Sequence, residues 1–197
     1  MNEKRFQGLT QINNSTIQQK RIFVKKNMAL IKTVRDCTPV FGNNCYLAEN
    51  ATIVGDVTMG DDCSVWFQAV IRGDVHWIKI GNKVNIQDGA ILHATYQKAP
   101  TLIGSNVSIG HRAIVHGCTI EDNVLIGMGA IVMDKAVVQA NCLIGAGAVV
   151  KENTICESGY IYAGVPAKKV KKLSTEAFEG TVLRIANAYK MYASWFS

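Results

Sequence analysis

Three of the four histidines in this 197-residue chain, His93, His111 and His116, fall within a span of 24 positions. Imidazole nitrogen is a ligand for borderline transition metals. Three neutral imidazoles leave a fourth coordination position open for water or substrate, as at a catalytic rather than a structural zinc. Arg72, Asp74, Gln87 and Asp88 stand in the preceding segment. His76 has no such company in the sequence and reads as a solvated side chain. Whether the other three histidines can meet depends on the elements that carry them.

Those elements follow a six-residue beat. Ile103, Ile109 and Val115, then Ile120, Ile126, Val132, Val138, Ile144 and Val150, recur with a small or slender residue four positions later. The same beat runs through Phe41, Leu47, Ile53, Met59, Val65 and Ile71, and again through Ile80, Ile86 and Leu92. So short a fixed period marks a parallel β-helix. Each unit is one short strand and one corner, with Gly, Asn and Asp supplying the left-handed backbone that a sharp corner needs. Three extra residues near His76–Ile78 and five around Thr95–Pro100 interrupt the beat and are expected to emerge as surface loops.

Domain limits follow from the same pattern. Residues 28–167 form the repeat domain, and residues 168–197 a basic linker, Lys168 to Lys172, and a helix. Ser174 or Thr175 caps that helix, and Phe178, Val182, Ile185, Tyr189, Tyr192 and Phe196 form its one apolar stripe, expected to pack along the solenoid. Residues 1–27 carry six basic residues against Glu3, nearly all of the chain's net charge of +6. This arm reads as a disordered extension ahead of a start at Met28, with an organelle transit peptide as the weaker alternative. Because the charge belongs to the arm, it gives no support to nucleic-acid binding. No apolar run approaches the roughly 20 residues of a membrane helix. Six cysteines without CxxC spacing, several at inward positions, indicate packing in a reduced, cytoplasmic compartment.

Several motifs together resemble the gamma-class carbonic anhydrases: Ile71-Arg72-Gly73-Asp74, Asn85-Ile86-Gln87-Asp88-Gly89, Leu92-His93, Ile109-Gly110-His111, Val115-His116-Gly117-Cys118 and Tyr162-Ala163-Gly164-Val165-Pro166. The resemblance runs from about Met28 to the C-terminus. It implies an all-β solenoid, a left-handed parallel β-helix of hexapeptide repeats with a C-terminal α-helix alongside. It also implies a homotrimer with metal sites at its interfaces, ligated by His93, His111 and His116. There a zinc-bound hydroxide attacks CO2 to give bicarbonate, with Fe2+ or Co2+ as other acceptable ions. Gln87 would orient hydroxide or substrate, Arg72 and Asp88 would tie adjacent subunits together, Asp74 would lie at the same interface, and Tyr189 of the terminal helix would reach the pocket.

In that fold three units make one triangular coil. Arg72, His93 and His116 each follow an anchor of one face and form a single outward column, with neighbouring strands about 4.8 Å apart. His111 and Asp88 each lie two residues past an anchor of the next face. His111 therefore points around a corner, away from the His93–His116 pair, and a neighbouring subunit could supply it to that pair.

The chain departs from the most active relatives in one respect. The loop Ala94–Pro100 has no acid, and Val75 stands where they carry one, which leaves proton removal to His76 or buffer. Three other functions compete: a metal-dependent CoA thioesterase on the same site, a non-catalytic trimeric scaffold, and a hexapeptide acyltransferase.

Overall fold

The computed structural model describes residues 28–196. The arm expected over residues 1–27 lies outside the described residues. The β-helix is present as expected. Parallel strands, most of two or three residues, repeat at intervals of 17 or 18 residues where the beat is regular. A 12-stranded sheet wraps around one edge of the prism, and an 8-stranded sheet forms the remaining face. The strand Val70–Ile80 turns the edge: its first half pairs with Ile91–His93, and its second half with Thr101–Ile103.

The register shows why the beat works. Ile71, Leu92, Val115, Val132 and Val150 stack on one face, and Ile86, Ile109, Ile126 and Ile144 on another. Every one of these side chains is fully buried. Alternation along each strand turns the following residue outward, so side-chain direction is fixed by position within the repeat. Corners take left-handed backbone at Asn44, Asp62, Asn106, Asn123 and Asn141, but also at Gln68, Lys83, Arg112 and Lys135. Corner chemistry is thus looser than a Gly/Asn/Asp rule implies, because the stacked hydrogen bonds of the coils above and below hold each turn.

Three local expectations are corrected. The first insertion is not a loop. Residues Val70–Ile80 form one continuous strand beside Thr52–Met59, and the extra residues are absorbed where the register shifts at Gly55/Val57. Ile78, taken as part of that loop, is a fully buried core residue paired with Val57. The basic linker is also a strand: Lys168–Lys172 runs antiparallel to Tyr160–Ala163 and closes the face. The terminal helix is not one uniform element. A short start at Thr175–Ala177, capped by Ser174 Oγ accepting from Ala177 N, leads into a wider π turn at Phe178–Leu183 before Arg184–Ser194.

The second insertion is a loop. It closes on itself through an antiparallel bridge between Thr95 and Ala99. The helix packs on the 8-stranded face, where Val182 and Ile185 meet Leu125 and Leu143. Lys190 Nζ reaches Asp62 Oδ2 at 3.0 Å and Lys83 Nζ reaches Asn187 Oδ1 at 2.6 Å, tying the helix to the coils. Among the described residues, no helix is long and apolar enough to cross a membrane.

Candidate metal centre

His93 and His116 are direct partners in adjacent parallel strands, Ile91–His93 and Ile114–His116. Their backbones stack in register, and because each follows a buried anchor, both imidazoles point outward on the same face. His93 Nδ1 and His116 Nε2 face each other at 3.0 Å. Each ring offers its other nitrogen to a carboxylate. His93 Nε2 lies 3.1 Å from Asp74 Oδ1, and His116 Nδ1 lies 2.5 Å from Asp134 Oδ1.

The polarity of these contacts is informative. An ionised carboxylate accepts hydrogen bonds and cannot donate them, so each bonded ring nitrogen carries the proton. In a neutral imidazole the opposite nitrogen is then a bare acceptor. Two acceptors therefore confront one another at 3.0 Å, an arrangement that needs a cation or a proton between them. Burial lowers the pKa of His93, with Arg72 and His116 acting in the same sense against a raising contribution from Asp74. Its neutral form, the one able to ligate a metal ion, is thereby favoured. The donor set fits a transition-metal ion.

The carboxylates are held in turn. Arg72 Nη1 donates to Asp74 Oδ2 at 2.6 Å. Burial alone would raise the Asp74 carboxyl, but hydrogen bonds from Arg72 and His93 outweigh it and the net shift is downward. Asp134 shows the same balance, with hydrogen bonds from Thr95 and His116 outweighing burial. Both therefore stay ionised as ring acceptors at neutral pH.

His111 sits elsewhere, as the repeat arithmetic requires. Ile109 pairs with Ile86, and two residues beyond them His111 Nδ1 lies 2.8 Å from Asp88 Oδ2. Its side chain is 42% exposed, against 15% for His93. Among the described residues, no group of three His, Cys, Asp or Glu side chains in the single chain could hold a metal ion. The carboxylate on Nδ1 leaves Nε2 as the outward acceptor, and the Tyr189 hydroxyl approaches it at 3.4 Å. Burial pushes the Tyr189 phenol up to about 12, with Asp88 adding to the shift, so it remains a hydrogen-bond donor. An aromatic cluster fixes its position: Trp66 meets Tyr189 edge-on at 5.2 Å and also contacts Tyr46 and Phe196.

Gln87 lies on the same face as His111 and is buried. A polar ladder orients it. Asn85 Nδ2 donates to Ser108 Oγ at 2.7 Å, and Gln87 Nε2 donates to Asn85 Oδ1 at 2.9 Å. The Gln87 carbonyl oxygen is thereby the end left to accept from outside. Beside Gln87, His111 and Tyr189 a groove of ≈ 460 Å³ runs between the helix and the coils, walled by Leu125, Leu143 and Ile185. On the other face, a cavity of ≈ 200 Å³ behind Asp74 is lined by Arg35, Asp56 and His76.

Within one chain the fold thus brings together Arg72, Asp74, His93 and His116 in one cluster, and Gln87, Asp88, His111 and Tyr189 in another. Arg72 pairs with Asp74, and Asp88 pairs with His111. Asp134, Thr95, Asn85 and Ser108 join these clusters without belonging to any of the sequence motifs that mark the histidines. Asp134 had a readable signal: it stacks one coil above Gly117, where a Cβ would lie 2.6 Å from its carboxylate. A glycine under an aspartate leaves room for that side chain to reach back to the histidine below.

The family model described as bacterial transferase hexapeptide (six repeats) matches residues 38–73 and 117–152. The chain is 45% identical over 139 residues to a carbonic anhydrase of Geobacillus kaustophilus, covering 71% of this chain and 76% of that protein. It is 40% identical over 151 residues to the mitochondrial gamma carbonic anhydrase 2 of Arabidopsis thaliana, covering 74% of this chain and 54% of that one. A Bacillus cereus structure named as a "putative acetyltransferase" superposes with a TM-score of 0.82 at 35% identity over 86% of this chain and 97% of its own.

Proposed function

The chain belongs to the gamma-class carbonic anhydrase family of hexapeptide-repeat proteins, and from that premise we propose that it hydrates CO2 to bicarbonate at metal centres shared between the subunits of a homotrimer. The observation that carries this reading is the pair of ring acceptors, His93 Nδ1 and His116 Nε2, facing each other at 3.0 Å with carboxylates on their outer nitrogens. Acyltransfer with a single histidine base needs no such pair.

His93 and His116 would hold the ion from one wall, and His111 Nε2 from the neighbouring subunit. Zinc, or iron(II) or cobalt(II) on the same donors, supplies there a Lewis acid that ionises water near neutral pH. Gln87, fixed through Asn85 and Ser108, turns its carbonyl oxygen toward the reacting water and holds it for attack on carbon. Tyr189 offers a phenol O–H to a product or substrate oxygen on the same side. Asp74 and Asp134 keep the two rings from rotating. With no acid in the Thr95–Ala99 loop, the proton leaves by way of buffer or His76, which lines the cavity behind Asp74. The test compares CO2 hydration by zinc-reconstituted and chelator-treated full-length protein in stopped flow. Catalysis that returns with zinc is expected; a reconstituted trimer no faster than buffer would refute the proposal.

The groove beside His111 supports a second reading, hydrolysis of acyl thioesters, since its apolar walls extend far beyond what a three-atom substrate fills. Leu143→Trp is expected to obstruct it. If thioesters are substrates, this variant loses most thioester hydrolysis while hydration of CO2 persists. Equal rates for variant and wild type on an acyl-CoA would dismiss that reading.

A further inference from the structure

The insertion loop has a structural role that its composition conceals. It carries no acid, yet Thr95 Oγ1 donates to Asp134 Oδ2 at 2.5 Å, and Asp134 Oδ1 accepts from His116 Nδ1. The loop is closed at its base by paired backbone bonds between Thr95 and Ala99. Ala99 is buried, and a Cβ on Gly117 would lie 2.9 Å from it. Thr101 Oγ1 accepts from Gly117 N and donates to the His93 carbonyl, fixing the far end of the loop to both histidine strands. Asp134 itself enters from the next coil, over the side-chain-free Gly117.

We infer that Asp134 is a positioning residue, clamped by Thr95, that selects the Nδ1–H tautomer of His116 and so turns Nε2 into a ligand nitrogen facing His93. The inference rests on the metal-centre reading above but acts on the metal-free protein as well. A carboxylate can only accept, so Asp134 compels the proton onto Nδ1. Without it, His116 could place the proton on Nε2 and donate to His93 Nδ1, 3.0 Å away. The two rings would then satisfy each other by a hydrogen bond, and the ion would have to break it. Outer partners of ligating histidines generally contribute about 10–100-fold in metal affinity.

Asp134→Asn tests this directly, because an amide of the same shape can donate to Nδ1. The 15N spectra of the metal-free variant are expected to show His116 protonated at Nε2, where the wild type is protonated at Nδ1. Zinc affinity is expected to fall about 10–100-fold, while the metal-free variant melts no lower than the metal-free wild type. Thr95→Val should shift zinc affinity in the same direction by less, and Thr95→Ser should restore it. These variants also keep the question answerable if Asp134→Asn does not fold. An Asp134→Asn protein with the wild-type tautomer and unchanged zinc affinity would overturn the inference, as would equal affinities for Thr95→Val and wild type. Should wild type bind no zinc at all, the metal-centre reading falls, yet the tautomer comparison still decides the role of Asp134.

Discussion

Replacing His93 by alanine is expected to abolish metal retention and drop CO2 hydration by on the order of 10³-fold or more, while the β-helix stays folded. The size of the activity loss follows from what an enzyme loses with its Lewis acid, since the remaining groups cannot ionise water at neutral pH. The survival of the fold follows from the repeat. Leu92, immediately before, is the fully buried anchor that pairs with Ile71 and Val115, and it is untouched. His93 adds to the metal-free fold mainly its hydrogen bond to the Asp74 carboxylate, worth about 1.5–3 kcal/mol. Its removal also relieves the confrontation with His116 Nε2. Metal content by elemental analysis and far-UV circular dichroism, taken on the same protein preparation, check both halves. Full zinc occupancy in the variant, or an unfolded chain at ordinary temperature, would contradict the assignment.

The prism was legible because its period is short and its anchors are nearly all aliphatic. Once Ile71, Leu92 and Val115 are placed on one face, residue counting alone puts Arg72, His93 and His116 in a column and sends His111 to another face, and the register agrees. Counting fails where the chain leaves the beat. Nothing in Asp74–Trp77 announces that the extra residues stay in a strand, because that depends on Thr52–Met59 bulging alongside. Lys168–Lys172 looks like a solvated charge run, and only the open backbone edge of Tyr160–Ala163 makes it a strand. The carboxylate on His116 escaped for a related reason. Asp134 lies 18 residues away and belongs to a different repeat, so only the vertical alignment of Gly117 with it brings the two together. Tyr189 was visible as part of a helix stripe, but its approach to His111 depends on Trp66 and Phe196, which set the helix against the coils.

Mixing two inactive variants is expected to restore activity, and this outcome bears most directly on where the centre is. Each proposed site takes His93 and His116 from one subunit and His111 from the next, in a single repeated heterologous contact around a threefold ring. A His93→Ala trimer lacks one ligand at every site, and so does a His111→Ala trimer. In trimers reassembled from equal amounts of both, an interface is intact when a His111→Ala subunit presents its histidine pair to the His111 of a His93→Ala neighbour. Random assembly makes about a quarter of interfaces of that kind. Zinc content and hydration rate should therefore recover to about a quarter of the wild-type value per subunit, and both should remain near zero in either variant alone. The structure gives the reason to expect sharing: His111 faces outward with Nε2 directed away from Asp88, on a different face from the His93–His116 pair. A centre completed within one chain would give no recovery at any mixing ratio. Recovery that exceeded a third would equally conflict, because a ring of three with one histidine crossing each interface in a fixed direction holds one intact interface at most.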